Sequence, residues 1–275
     1  MPREGGFVAV GSRIYVFGRF KSVPQNAICI DCRYQTVHLL PSMNVTMSVS
    51  VADIIDGKIY VTGYCNNPTK MVMTVFDTET EMWELKKTTP ETMSNMAVFN
   101  TETQMWEPKT TPETMIGYLW PGECVVMASK MYMRDHINSF VYIYEPKESK
   151  WETDKMLNKF KWKDACVVDD VLYYYDSVSA VLSAYDPKES SWLVVNGLKE
   201  LLAEARYSVW YYTGRYGGKL AMFFQKTGKT KVIRCAKISL ERRHQGKKIW
   251  GKVEWCDDVL VGGDFYVKKS LDAIV

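Results

Sequence analysis

Along most of this chain, apolar runs of strand length alternate with short polar turns, and one arrangement of the two recurs. A strand ends on Asp, Asn or Glu, a polar turn follows, and six positions after that residue an aromatic or β-branched residue starts the next apolar run. The phrase runs from Val75-Phe76-Asp77 to Trp83, from Val98-Phe99-Asn100 to Trp106, from Ile143-Tyr144-Glu145 to Trp151 and from Ala184-Tyr185-Asp186 to Trp192. Cys29-Ile30-Asp31 to Val37 is a divergent copy. Turn residues such as Asp186-Pro187-Lys188-Glu189-Ser190 between two strand-like runs predict a β-hairpin.

Upstream of each phrase lies a second hairpin pattern. Phe7–Val10 and Ile14–Gly18 flank Gly11-Ser12-Arg13, and Val49–Ile55 and Ile59–Gly63 flank Asp56-Gly57-Lys58. Glu123–Met127 precedes Ala128-Ser129-Lys130 and Met131–Met133, and Ala165–Val168 precedes Asp169-Asp170 and Val171–Tyr175. Asp-Gly between alternating apolar runs is a strong tight-turn signal. Two hairpins make a unit of four antiparallel strands that repeats about every 45 residues, the size of a β-propeller blade. The expected blades are 5–46, 47–93, 117–157, 158–198 and 206–260 of a single domain over 1–275. The fifth is expected to use strands Tyr207–Tyr212, Lys219–Phe224, Val232–Leu240 and Ile249–Trp255. Leu198–Ala205 is the one helix-like stretch, and 261–275 carries a further candidate strand at Phe265-Tyr266-Val267.

The period is broken once. Val75–Met93 and Val98–Met115 agree at all but three aligned positions, with one Lys deleted. Identity that high beside divergent neighbours points to a recent tandem duplication of half a blade, or to a misassembled reading frame, and leaves 94–115 as an extra hairpin that cannot build a blade by itself.

Composition narrows the class. Among the 275 residues, 47% are hydrophobic and 24% charged, as in globular domains, and the net charge of +3 selects no partner. No run approaches the roughly 18 apolar residues of a membrane span. Seven cysteines scattered through strand-like runs, with no secretory leader pattern, imply a reducing compartment.

The phrases Phe7–Gly11, Asp56–Gly63, Leu240-Glu241-Arg242-Arg243 and Ile249-Trp250-Gly251-Lys252-Val253-Glu254-Trp255 carry a family resemblance. With second strands ending in Gly18 and Gly63, the chain resembles the plant F-box/kelch-repeat proteins over nearly its whole length. Two features depart from that pattern: the usual Gly-Gly is here Gly18-Arg19 and Gly63-Tyr64, and no F-box helical module precedes the first blade. The resemblance implies an all-β kelch-type propeller of five readable blades, an incomplete version of six. It implies a protein-binding role, as the substrate-recognition part of a cullin ubiquitin ligase in the cytoplasm or nucleus. It leaves open a scaffold without a ubiquitin role, or a degenerate gene product. A Skp adaptor is not expected to bind without an F-box.

Little else in the sequence suggests chemistry. Cys29-Ile30-Asp31-Cys32 has the C-x-x-C spacing, but an offset of three along a strand puts the thiols on opposite faces. His38, His136 and His244 fall in three different units and follow no repeating position, which argues against the copper-radical oxidase that kelch folds also house. Asp169-Asp170 and Asp257-Asp258 read as turn residues. Arg242–Lys248 reads as a solvated basic turn, and Lys226–Lys231 as a turn without phosphate-loop spacing. No catalytic residue, cofactor, metal, nucleic acid or membrane partner is expected. A protein target is expected on the loop face, where second-to-third-strand loops and inter-blade links emerge together; Arg19, Lys21, Tyr64, Arg134, His136 and Asp176 are the candidate contacts.

Overall fold

The computed structural model describes residues 5–18, 20, 27–42, 47, 50–64, 71–86, 96–100, 105–109, 121–135, 140–226, 228, 230–244, 247–262 and 269–274. Contacts divide the chain into two compact units, Met1–Cys124 with Asp135–Asn138 and Val275, and Val125–Arg134 with Ser139–Ile274. The architecture is all-β, of the propeller kind.

The first sheet is an antiparallel meander of β1 (Gly5–Val10), β2 (Arg13–Gly18), β3 (Ala27–Asp31) and β4 (Thr36–Leu39). The second repeats it with β5 (Ser50–Ile55), β6 (Lys58–Tyr64), β7 (Met71–Asp77) and β8 (Met82–Lys86). β9 (Met96–Asn100) and β10 (Met105–Lys109) form a separate two-stranded sheet. The third meander comprises β11 (Pro121–Met127), β12 (Lys130–Asp135), β13 (Val141–Glu145) and β14 (Lys150–Thr153). The fourth comprises β15 (Cys166–Val168), β16 (Val171–Asp176), β17 (Val181–Asp186) and β18 (Ser191–Asn196). The fifth comprises β19 (Tyr211–Tyr216), β20 (Lys219–Lys226), β21 (Val232–Arg243) and β22 (Lys248–Val261).

The register explains the six-position interval. Asp31↔Thr36, Asp77↔Met82, Glu145↔Lys150 and Asp186↔Ser191 each close a four-residue turn. Its last residue, Gln35, Glu81, Ser149 or Ser190, is left-handed, with φ of 55°, 53°, 51° and 44°. The next pair outward joins the residue before the acid to the residue six after it: Phe76↔Trp83, Tyr144↔Trp151 and Tyr185↔Trp192. Their rings sit 4.9, 4.8 and 5.1 Å apart, a cross-strand aromatic pair that locks the hairpin.

Two of these tryptophans also reach the preceding sheet, as the nonpolar faces of stacked sheets require. Trp83 meets Phe17 edge-on at 5.7 Å, and its indole N–H donates to the Pro41 carbonyl at 2.9 Å. Trp192 contacts Phe160 at 4.9 Å and donates to the Met156 carbonyl at 2.8 Å. First strands of neighbouring sheets approach closely: a Cβ on Gly6 would lie 2.6 Å from the Ala52 Cβ. There Gly6 N–H donates to the Ser50 hydroxyl, which donates to the Phe17 carbonyl.

Several expectations change. The first strand of the fifth sheet is Tyr211–Tyr216, four residues later than 207–212. Gly217 and Gly218, with φ of 57° and 72°, form a two-residue turn that pairs Tyr216 with Lys219. At the other end, Ser208 N–H still donates to the Ala205 carbonyl of the preceding helix, and the first bond to the neighbouring strand is from Gln225 N–H to the Trp210 carbonyl, so Tyr207–Val209 lies outside the sheet. Cys32 is a turn residue whose N–H donates to the Ser12 carbonyl, and only Cys29 lies in a strand, so the opposite-faces argument does not apply to them. Both thiols are free.

The fourth and fifth sheets are also continuous. β18 pairs parallel to β22 through Val195↔Ile249 and Asn196↔Trp250, giving the order β15-β16-β17-β18-β22-β21-β20-β19. A Cβ on Gly197 (φ 84°) would lie 2.5 Å from the Gly251 carbonyl oxygen and from the Trp250 indole nitrogen, and one on Gly251 would lie 2.9 Å from Leu198. The two glycines let the chains cross, which gives the Ile249-Trp250-Gly251 phrase a structural reason. β21 and β22 also run longer than expected, with register shifts at Ile233/Arg234 and Lys237/Ile238, so Asp257-Asp258, expected in a turn, lie within β22 opposite Cys235 and Arg234.

The helix-like stretch is α1 (Lys199–Ala205), which buries Leu201, Leu202 and Ala205 in the core shared by these two sheets. Phe265-Tyr266-Val267 lies outside the described residues. Beyond it, Asp272 accepts the N–H groups of Gly217 and Gly218, both at 3.1 Å.

Candidate partner-binding surface

A four-strand meander places its first-to-second and third-to-fourth turns at one end, and its second-to-third loop and outgoing link at the other. The two ends carry different chemistry.

At the tight-turn end the recurring acid has two duties. Its carboxylate accepts turn N–H groups: Asp31 those of Arg33 and Tyr34, Asp77 those of Glu79 and Thr80, Asp186 that of Lys188. It also faces a base at the start of the second strand. Arg13 lies 3.6 Å from Asp31, Lys58 3.5 Å from Asp77 and Lys130 2.6 Å from Glu145. The N–H of Tyr34, then that of Arg33 and the Arg13 charge, hold Asp31 below the usual carboxylate range; the N–H groups of Thr80 and Glu79 do the same for Asp77.

The fourth sheet departs from this rule. The residue opposite Asp186 is Val171, which is buried and brings no charge. Arg242 arrives instead from β21, its Nη1 2.6 Å from Asp186 Oδ2. Asp186 is only 3% exposed. Burial alone would raise its pKa; the Arg242 hydrogen bond and the Lys188 N–H outweigh it and hold the carboxyl below its ordinary value. Asp169, Asp170, Asp186, Lys188 and Arg242 line a cavity of about 310 Å³. Asp169 and Asp170 are both left-handed, with φ of 51° and 59°, in a tight turn as expected. Asp170 accepts the Ala128 N–H of the adjacent turn at 2.9 Å. These groups fasten turns and sheets to one another. Among the described residues no cluster of three or more His, Cys, Asp or Glu could hold a metal ion. Burial pushes the Cys166 and Cys235 thiols up to about 12, leaving them protonated and poor nucleophiles at neutral pH.

In the basic stretch Arg242–Lys248 both arginines are engaged as well. Arg243 forms two bonds to Glu241 and lies 4.8 Å over the Trp250 ring, while His244 is a left-handed turn residue.

At the loop end of the fourth sheet three apolar side chains stand exposed among polar neighbours. Val178 is 91% exposed, Val209 78% and Tyr207 70%. They belong to two segments held side by side: the Ser177 hydroxyl and Tyr211 hydroxyl lie 3.2 Å apart, and Tyr175 meets Tyr211 edge-on at 5.1 Å. Sequence reasoning passed over all three because Tyr207–Trp210 read as strand and only Asp176 was singled out in the loop that holds Val178. An apolar residue between Ser177 and Ser179, with no strand to bury it, was the available signal.

Of the expected contacts, Asp176 ends β16 beside this patch, where its carboxylate accepts the Val178 N–H at 3.0 Å and the Ser179 hydroxyl. Arg134 lies in β12 at 8% exposure, its guanidinium 6.0 Å over the buried Trp162 ring, so it packs inward. Tyr64 ends β6, paired with Met71. Arg19, Lys21 and His136 lie outside the described residues.

Comparison with known proteins bears on the reading. A family model described as the FKB95 Kelch-repeats domain matches residues 1–95 and again 86–260. The matches overlap at 86–95, beside the duplicated hairpin. The chain is similar to two F-box/kelch-repeat proteins of Arabidopsis thaliana, with 40% and 36% identity over 283 and 267 residues. A third protein of that organism, a putative F-box/kelch-repeat protein, is 33% identical over 261 residues. The alignments cover 100%, 93% and 92% of this chain and 68%, 60% and 62% of those proteins.

Proposed function

The chain belongs to the F-box/kelch-repeat family, and we propose that it acts by capturing another protein on the loop ends of its sheets, as the target-recognition part of a cullin-type ubiquitin ligase. The observation that carries this reading is the exposed patch of Val178, Tyr207 and Val209. Apolar side chains grouped on a scaffolded loop surface are what a protein partner covers. Asp176 is the charged group at its edge.

Catalysis is not part of this reading. The charged cavity uses Asp170, Asp186 and Arg242 to hold turns and sheets, and the two most perturbed thiols are protonated. Nor do the described residues offer an adaptor-docking module: α1, the only α-helix among them, has its apolar side in the core. Target capture, not adaptor docking, is the task assigned to this region. Cytoplasm and nucleus are the compartments where such ligases operate, and no helix among the described residues is long and apolar enough to cross a membrane.

Immobilised protein incubated with an Arabidopsis extract tests the reading. A protein retained by the chain, and lost when Val178→Asp and Val209→Asp are introduced together, is the expected result. Equal retention by both forms, or none by either, overturns it.

A further inference from the structure

The duplicated hairpin raises a question separate from partner binding. β7–β8 completes the second sheet against β6, yet β9–β10 carries almost the same sequence in the same register: Phe99↔Trp106 and Asn100↔Met105 repeat Phe76↔Trp83 and Asp77↔Met82. We propose that residues 94–109 are a second outer hairpin for the second sheet, able to replace 71–86 against β6.

Over the buried part of β7 the second copy offers β6 the same apolar residues, although opposite Tyr64 and Gly63 it has Ser94 and Asn95 in place of Met71 and Val72. β7 meets it through Ile59↔Phe76, Tyr60↔Val75 and Thr62↔Met73, and the side chains of Met73, Val75 and Phe76 are buried. The residues that would take those places are Met96, Val98 and Phe99, identical at every one. Because side chains alternate between faces, the exchange keeps the register and presents the same face to the core. Chain connectivity permits it. The links 65–70 and 87–120 would become 65–93 and 110–120, one longer and the other shorter. Closure entropy varies only with the logarithm of length, so the two changes largely offset each other.

The differences explain why the first copy is the resident one. Thr74 donates its hydroxyl to the Glu84 carbonyl at 3.2 Å, a bond that Ala97 cannot make. Asp77 faces Lys58 at 3.5 Å, and the second copy has the uncharged Asn100 in its place. Pro108 in place of Leu85 falls in the outer strand, where a missing N–H is tolerated. Each change weakens the second copy without disqualifying it. The duplication thus gives one sheet two interchangeable edges, of which the second becomes occupied when the first is damaged.

The test is a pair of matched substitutions in the full chain. Phe76→Ser should lower the melting temperature by less than about 4 °C, and Phe99→Ser should leave it unchanged. The double variant should lose roughly 10 °C, as truncation of a buried Phe does when nothing replaces it, or fail to fold. Hydrogen exchange reads the exchange directly. In Phe76→Ser, amide protection should fall in peptides from 71–86 and rise in peptides from 96–109, which differ in mass at Asp77 and Asn100. A Phe76→Ser variant as impaired as the double variant overturns the proposal. So does a mild effect with no rise in protection over 96–109.

Discussion

The fourth sheet has two unlike ends. At its tight-turn end Asp186 is buried, charged and bound to Arg242, and Asp170 accepts a backbone N–H from a neighbouring turn. At its loop end the side chains of Val178 and Tyr207 extend into solvent. The first end has what a sequence reader looks for in an active site: three aspartates, a lysine and an arginine around a cavity. The difference teaches that charge density by itself does not mark function. A carboxylate already committed to a turn N–H and an arginine is a fastener. An apolar residue with nothing over it is the group still available for recognition.

The largest effect should come from breaking the seam that brings Arg242 to the tight-turn end. Gly197→Ala puts a Cβ 2.5 Å from the Gly251 oxygen at a left-handed φ of 84°. Backbone strain and overpacking together should cost about 4 kcal/mol, measured by denaturant unfolding. Next is Arg242→Leu. It strands the Asp186 carboxylate, but Arg242 is itself part-exposed, so the loss should be about 1–2 kcal/mol, below the cost of breaking a fully buried pair.

The same variant should reverse a pH dependence. In the wild-type chain Asp186 has a depressed pKa. Its contribution is therefore complete above the ordinary carboxylate value and lost as pH falls through the lower folded value. Without Arg242, burial dominates and the folded pKa rises above the unfolded one. The carboxyl then destabilises at neutral pH, and part of that loss returns on acidification. Melting temperatures of the two proteins from about pH 7 to about pH 3 should converge, and a constant gap would contradict the account. The smallest effect belongs to the other end: Val178→Asp, at an exposed turn position, should shift stability by no more than about 0.5 kcal/mol.

Much of this fold was legible because it repeats. The six-position interval encodes a four-residue turn plus one aromatic pair, so Asp77–Trp83, Glu145–Trp151 and Asp186–Trp192 announced their hairpins. What did not repeat was not legible. The parallel pairing of Val195 with Ile249 joins residues far apart in sequence through two glycines, and no local periodicity reports it. Val171 stands where other sheets have Arg or Lys, and the replacement base comes from another repeat. The candidate contacts were chosen as charged and aromatic residues of the loop face, which included Arg134, a side chain that lies over Trp162. The apolar patch went unread because Tyr207–Trp210 imitates a strand, and the bond from Ser208 N–H back to Ala205 that keeps the chain out of the sheet there leaves no mark in the local pattern.

The most direct test of the central claim is an exchange footprint with a captured partner bound. Amide protection should increase in 176–180 and 206–210 and stay unchanged in 168–171 and 187–190. Protection that appears at the two tight turns and spares the Val178–Val209 patch would contradict the account.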